Sequence, residues 1–347
     1  MPTETAATGA AALEDVQRVP GVAKPDPILV ADHVSRRFGG LKAVDVEHLE
    51  IQRGTITALI GPNGAGKTTF FNLLTGFDTP NTGSWEFHAD DGSATILTGM
   101  SPHAVARTGL VRTFQLTKSL TRMSVVENMR LGAPANPGES MLRALLPGTW
   151  RGYEKQIQGR VDELLVQFKL DHMRDEYAGT LSGGQRKLLE MARSLMVDPD
   201  LVCLDEPMAG VNPALTQSLL RHVVDLRDRG MTVVFVEHDM DVVREIADWV
   251  VVLAEGRVIS EGPPDHIGND PAVVEAYLGG KAAGARREVD TTGPSAARQT
   301  ATDDRLRGGS PRAAPDAGPA DVAPPGPTGT TDATGADGAG THEEDDQ

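Results

Sequence analysis

One cysteine in 347 residues means that no disulfide can form within the chain, so its fold must rest on packing. A reducing compartment is the expectation. No apolar run approaches the roughly 20 residues needed to span a bilayer as a helix, and strand-like runs such as Trp249 to Leu253 are far shorter. The first dozen residues also lack the basic start and apolar stretch of a secretory leader. Any membrane role is therefore expected to run through other chains. Cations are in deficit: 33 Lys and Arg against 49 Asp and Glu leave a formal net charge of -16. Binding a phosphate backbone takes clustered cations that displace counterions, so nucleic acid is not an expected partner.

What is present is a globular interior between two biased flanks. Hydrophobic residues make up 39% and charged residues 24% of the chain, as in compact soluble domains. Residues 1–27 are rich in Ala, Thr and Pro without periodicity, and read as a disordered extension. From 281 to 347 the chain turns to Gly, Ala, Pro, Thr and Asp with an acidic finish. Such a segment buries too little apolar area to offset its ordering entropy and reads as a disordered tail.

Between the flanks, residues 28–280 alternate short apolar runs with helical stretches, the pattern of an α/β protein with a mostly parallel sheet covered by helices. Thr55 to Ile60, Leu201 to Asp205 and Thr232 to Val236 are expected as buried strands. Ile28 to Arg36 and Val46 to Gln52 are expected as antiparallel strands about the Gly39-Gly40 turn. A helix-rich stretch at about 116–185 interrupts the strands and reads as an inserted subdomain. Val250 to Leu253 and Arg257 to Ser260 form a predicted hairpin about Glu255-Gly256. A last short helix is expected with Asp270 as cap, Pro271 first and Gly279 as stop. No internal repeat is present.

The densest chemistry lies in Gly61-Pro62-Asn63-Gly64-Ala65-Gly66-Lys67-Thr68, which fits G-x-x-x-x-G-K-[ST] after a strand and before a helix. Glycines let successive N–H groups curl inward on phosphate oxygens, where larger residues would block the approach. Lys67 supplies a point charge for the β- and γ-phosphates, Thr68 a hydroxyl for Mg²⁺, and the following helix its positive end. Nucleotide binding follows from this pattern, but kinases, GTPases and motors share it.

Further segments occur in the order Gln115, Leu181-Ser182-Gly183-Gly184-Gln185, Leu204-Asp205-Glu206-Pro207 and His238. With them the chain resembles the ATP-binding-cassette (ABC) ATPases from about Ile28 to Gly279. Asp205 ends an apolar strand, where ligands of open α/β sheets bind, and its carboxylate suits Mg²⁺ held through water. The resemblance makes Glu206 the general base for the attacking water, His238 a contact of the γ-phosphate, and Gln115 a reach to Mg²⁺. It extends the nucleotide contacts to Thr69 and places Phe38 on the adenine ring. It implies a P-loop NTPase cassette: a RecA-like core, an N-terminal antiparallel β subdomain and an inserted helical subdomain.

Ser182 and the two glycines open a helix, offering a hydroxyl, free N–H groups and a helix N-terminus to an anion. The resemblance implies a head-to-tail dimer in which this segment caps ATP held by the phosphate loop of a second ABC ATPase subunit. Asn212 falls where many members carry Asp at that interface. Cys203 reads simply as a small buried residue before Asp205.

Arg112-Thr-Phe-Gln, Ala209-Gly-Val-Asn-Pro213, Glu237-His-Asp-Met240 and Ala276-Tyr-Leu-Gly279 resemble the ATPase subunits of branched-chain and related hydrophobic amino acid importers. So does a long insert with Met141, Leu142, Leu145, Leu146 and Trp150. That resemblance implies transmembrane permease subunits as partners, an extracytoplasmic solute-binding protein indirectly, and a place on the cytoplasmic face of the membrane. An importer of urea, amides or another organic solute carries a similar ATPase. A soluble ABC machine or a small-molecule kinase are the readings from other classes. The first usually carries a long coiled coil or two cassettes, absent here, and the second needs no Ser182 motif.

Overall fold

The computed structural model describes residues 9–113, 121–134 and 147–278. The chain divides into two units, Met1–Gly293 and Pro294–Gln347, and all described residues belong to the first. The tail from 281 and the insert residues Met141 to Leu146 lie outside the described residues, as does the side chain of Trp150.

Two sheets organise the unit. The first is antiparallel, in the order β2-β1-β4-β5, with β1 Pro27–Phe38, β2 Leu41–Gln52, β4 Thr82–His88 and β5 Ala94–Ile96. The second has six strands in the order β10-β9-β3-β8-β7-β6. These are β3 Ile56–Ile60, β6 Leu110–Arg112, β7 Leu201–Asp205, β8 Thr232–Val236, β9 Trp249–Ala254 and β10 Arg257–Gly262. The pairs β3–β8, β3–β9, β7–β8 and β6–β7 are parallel, and β10 runs antiparallel to β9 as the predicted hairpin. The β1–β2 hairpin likewise turns at Gly39-Gly40, though both strands run longer than the sequence suggested.

Helices cover the sheets. These are α1 Lys67–Leu74, α2 Pro102–Ala106, α3 Val125–Leu131, α4 Pro147–Gln167, α5 Gly183–Ser194, α6 Pro213–Asp228, α7 Met240–Ile246, α8 Pro264–Ile267 and α9 271–278. Helices α3 and α4 fall in the stretch expected to be helix-rich. Asp270 caps α9 by accepting from the Ala272 N–H at 2.8 Å.

The central strands separate two cores by simple alternation. Ile56, Ala58 and Ile60 of β3, Val202 and Leu204 of β7, and Val233 and Phe235 of β8 face one core, which α3 to α7 complete. Leu59, Leu201, Cys203, Val234 and Val236 face the other, shared with α1 and the antiparallel sheet. With both faces buried, these strands are unbroken apolar runs, as parallel strands must be. Cys203 is fully buried, and burial pushes its thiol up to about 12, which leaves it an inert packing residue.

The N-terminal expectation is corrected. Residues 9–26 are laid against the cassette: Leu13 is buried in the second core, and Lys24 Nζ meets Glu261 Oε2 of β10 at 2.9 Å with both side chains excluded from solvent. A few well-placed anchors fix this segment despite its composition.

Candidate functional site

Strand register brings three of the predicted segments to one sheet edge. In the parallel ladders Leu59 of β3 and Asp205 of β7 both pair with Val236 of β8. The segments leaving these strands are therefore neighbours: Gly61 onward from β3, Glu206 from β7, and Glu237-His238 from β8. Their order across the edge is fixed by the fold and not by nearness in sequence.

The Gly61–Thr68 turn is built around left-handed backbone. Gly61, Gly64 and Gly66 have φ of 151°, 81° and 100°. At Gly66 a Cβ would also fall 2.2 Å from the Ala43 carbonyl oxygen of β2, so glycine is required there by conformation and by space. Lys67 Nζ donates to the carbonyls of Gly61 at 2.7 Å and Pro62 at 3.1 Å, which places the ammonium inside the turn. Burial pushes its pKa down, while the Glu206 carboxylate pulls it up, so the two charges sense each other across the site. Tyr277 of α9 packs on the core, its phenol pushed up by burial and pulled down by the Gly61 backbone.

Asp205 closes β7, and its Oδ2 accepts from Arg112 Nη2 at 2.5 Å. Glu206 follows with φ of 45°, a left-handed conformation unusual for a residue with a Cβ. Three hydrogen bonds hold it there. Its N–H donates to Val236 O at 3.1 Å, and its carbonyl accepts from the Ala209 N–H at 3.1 Å and Lys187 Nζ at 3.1 Å. Backbone strain that is over-determined in this way is characteristic of working sites.

His238 is largely exposed, with Nδ1 3.7 Å from Glu237 Oε2. Glu237 itself is buried and accepts from the N–H groups of Met208 at 3.0 Å and His238 at 3.3 Å. Burial pushes its pKa up against those two hydrogen bonds. One carboxylate thereby ties the segment after Glu206 to the segment carrying His238. Arg112, Lys187 and Glu237 hold this edge together, and sequence reasoning gave none of them a role. The only signal was the place of Arg112 and Glu237 inside motifs and of Lys187 two residues after one, since each acts through a partner remote in sequence.

Ser182 is the N-cap of α5. Its Oγ accepts from the Gln185 N–H at 3.2 Å, and Gln185 Oε1 accepts from the Ser182 N–H at 2.9 Å. Gln185 thus serves the cap, while Ser182 and Gly183 remain exposed. Gly184 is buried, and a Cβ there would fall 1.3 Å from Leu215 Cδ2 of α6, so close packing explains this glycine. Asn212 caps α6 by accepting from the Leu215 N–H at 3.0 Å. Phe38 is half exposed at the end of β1 with the Arg36 guanidinium 4.9 Å from its ring centre. It is available for stacking and is no hairpin core residue. Gln115 lies outside the described residues.

The residues present fit a nucleotide with a divalent cation. A cationic turn ahead of a helix N-terminus suits phosphates, and a strand-end carboxylate beside the threonine-bearing helix is hard-oxygen chemistry of the kind Mg²⁺ takes.

Comparison with known proteins agrees with this geometry. Residues 44–209 match the ABC transporter family, and residues 257–283 match the branched-chain amino acid ATP-binding cassette transporter family. The probable branched-chain amino acid transport ATP-binding protein LivG of Archaeoglobus fulgidus is 42% identical over 252 residues, 73% of this chain and 95% of that protein. The high-affinity branched-chain amino acid transport ATP-binding protein BraF of Pseudomonas aeruginosa is 37% identical over 255 residues, 73% of this chain and 98% of that protein. Among solved structures, the ADP conformation of an ATP-binding cassette from an ABC transporter superposes with a TM-score of 0.62 at 36% identity, covering 73% of this chain and 99% of the other. This chain belongs to the ABC transporter family as one of its ATP-binding ATPase subunits, in the branched-chain amino acid group.

Proposed function

We propose that this chain is the ATP-hydrolysing subunit of an importer for branched-chain or related amino acids, acting at the cytoplasmic face of a membrane. The observation that carries the reading is the common sheet edge of β3, β7 and β8, which gathers the phosphate loop, Asp205-Glu206 and His238. The N–H groups of Gly61, Asn63, Gly64, Ala65 and Gly66 and those of Lys67, Thr68 and Thr69 cradle the phosphates, with Pro62 shaping the turn and Lys67 on the β- and γ-oxygens. Thr68, Asp205 and Gln115 hold Mg²⁺, which supplies neutralisation of the phosphate charge when bound. Glu206 polarises the attacking water, His238 orients it against the γ-phosphate, and Phe38 stacks on adenine.

The exposed Ser182-Gly183 end of α5, with Gly184 and Gln185 behind it, faces the nucleotide of a second ATPase subunit, either another copy or a relative. Permease subunits complete the transporter and connect it to an extracytoplasmic binding protein. An open groove of about 770 Å³, with Arg107, Arg112, Leu131, Glu190 and Arg193 among its walls, offers the permeases a docking surface. Among the described residues no helix is long and apolar enough to cross a membrane.

The test is Glu206→Gln, which removes the general base and keeps the shape. Nucleotide affinity is expected to stay near wild type while phosphate release falls by about 100-fold or more. Wild-type turnover in this variant removes Glu206 from its role. Uptake of labelled leucine by vesicles carrying this subunit with its permeases tests the cargo.

A further inference from the structure

Arg112 ends β6 and sits at the junction of three elements. Its Nη2 donates to Asp205 Oδ2 at 2.5 Å, and the two side chains are only 9% and 16% exposed. Its Nη1 donates to Asn72 Oδ1 at 2.7 Å and Thr75 Oγ1 at 3.4 Å. The guanidinium also lies 5.7 Å from the ring centre of Phe71 and 6.0 Å from that of Phe77. Asn72 and Phe71 belong to α1, and Thr75 is its C-cap. That helix begins with Lys67 and Thr68.

One planar cation is therefore shared between the helix that carries the threonine hydroxyl and the strand end that carries the carboxylate. A guanidinium can do this because its rigid fork serves two partners in fixed directions while its face packs on aromatic rings. The ammonium of a lysine has neither property. Asn72 and the two rings hold Arg112 independently of Asp205, which makes it a fixed member of the site.

We propose that Arg112 is a positioning residue for the divalent cation, a strut that sets Asp205 relative to α1 so that Thr68 and the carboxylate present their oxygens together. With Oδ2 committed to the guanidinium, Oδ1 would be the oxygen left for the ion and its water shell. This rests on the reading of Thr68 and Asp205 as metal-facing residues. It adds a residue that touches neither nucleotide nor ion and still sets how much the ion contributes to binding.

The experiment measures affinity of the full chain for a fluorescent ATP analogue in Mg²⁺ and in EDTA, with Mn²⁺ binding followed by electron paramagnetic resonance. In Arg112→Met, affinity in EDTA is expected to stay within about twofold of wild type while the gain on adding Mg²⁺ falls about 10- to 100-fold, the usual cost of losing an outer partner of a metal ligand. Mn²⁺ binding should weaken in parallel. Asn72→Ala cuts only the α1 end of the strut and should lose part of the same gain; it decides the matter if Arg112→Met does not fold. Full retention of the Mg²⁺ gain in the folded variants overturns the inference, as does an increased gain, which would make Arg112 a competitor of the ion. Equal losses in EDTA and in Mg²⁺ overturn it too, since they mark a general packing role. A wild-type chain with no Mg²⁺ gain defeats the metal-site reading itself, a failure distinct from the others.

Discussion

At the scale of single residues, burial without a hydrogen-bond partner puts one carboxylate oxygen of Glu190 in an unfavourable setting. Glu190 of α5 is 8% exposed, and its Oε1 has no hydrogen-bond partner. Burial pushes its pKa from 4.5 to about 7, against the opposing pull of Arg193 and Lys187. Between those values the folded protein keeps a proton that the unfolded chain has released, so stability falls as pH rises through that window. Above pH 7 the full cost is present, with a ceiling of about 3 kcal/mol from the size of the shift. Glu190→Gln keeps the shape and cannot ionise. Its melting temperature is expected to exceed that of wild type at pH 8, by about 2–4 °C for each kcal/mol recovered, and to match wild type near pH 4.5. An identical difference at both pH values would mean that Glu190 does not titrate in this window. Glu190 stands five positions after Gln185, and nothing in the local pattern distinguishes it from an ordinary helix-surface glutamate. Burial beneath neighbouring elements is what sets its chemistry.

At the scale of elements, legibility followed the range of the interactions. Strands β3, β7 and β8 were readable because a strand buried on both faces is a continuous apolar run, and α1 and α5 because their starts fall at the phosphate-loop pattern and at the Ser182 cap. The segment 9–26 was not readable. Its anchor pairs Lys24 with Glu261, 237 positions away, and the Arg112–Asp205 strut spans 93. Lys24 Nζ also lies 4.9 Å from the Trp249 ring centre, and Glu261 accepts from Trp249 Nε1 at 3.2 Å and from the Gly21 N–H at 2.7 Å. The Lys24 N–H reaches Glu50 of β2, so the segment joins the antiparallel sheet to the edge of the parallel one. Lys24→Met leaves a buried carboxylate without its counter-charge, and is expected to cost about 3–5 kcal/mol in urea unfolding. Adding Glu261→Gln removes the orphaned charge while keeping an acceptor for Trp249, and most of the loss should return. Wild-type stability in the single variant, or a double variant as unstable as the sum of the singles, would show that the segment is only laid on the surface.

At the scale of the whole molecule, the proposed function makes the exposed Ser182 end of α5 and the phosphate loop two half-sites on one chain. The phosphate loop could be read from its own residues, while the destination of the Ser182 segment came only with the resemblance to the ABC ATPases. The loop's ligand is defined by its own backbone, whereas the partner proposed for the signature is the nucleotide of another subunit. A head-to-tail pair makes a specific demand on mixtures. Lys67→Ala spoils the phosphate loop and leaves the Ser182 segment intact, and Ser182→Arg does the reverse. Each variant alone should release little phosphate. In a mixed pair, the loop of the Ser182→Arg protomer meets the intact segment of the Lys67→Ala protomer, restoring one site of two. Half of the pairs in an equimolar mixture are of this kind, so turnover should recover to roughly a quarter of wild type if the two sites act independently. Recovery should also grow with protein concentration, because it requires encounter of two protomers. Phosphate release from the mixture equal to the mean of the two variants, at every concentration at which wild type is active, would mean that each chain hydrolyses ATP without a partner's signature.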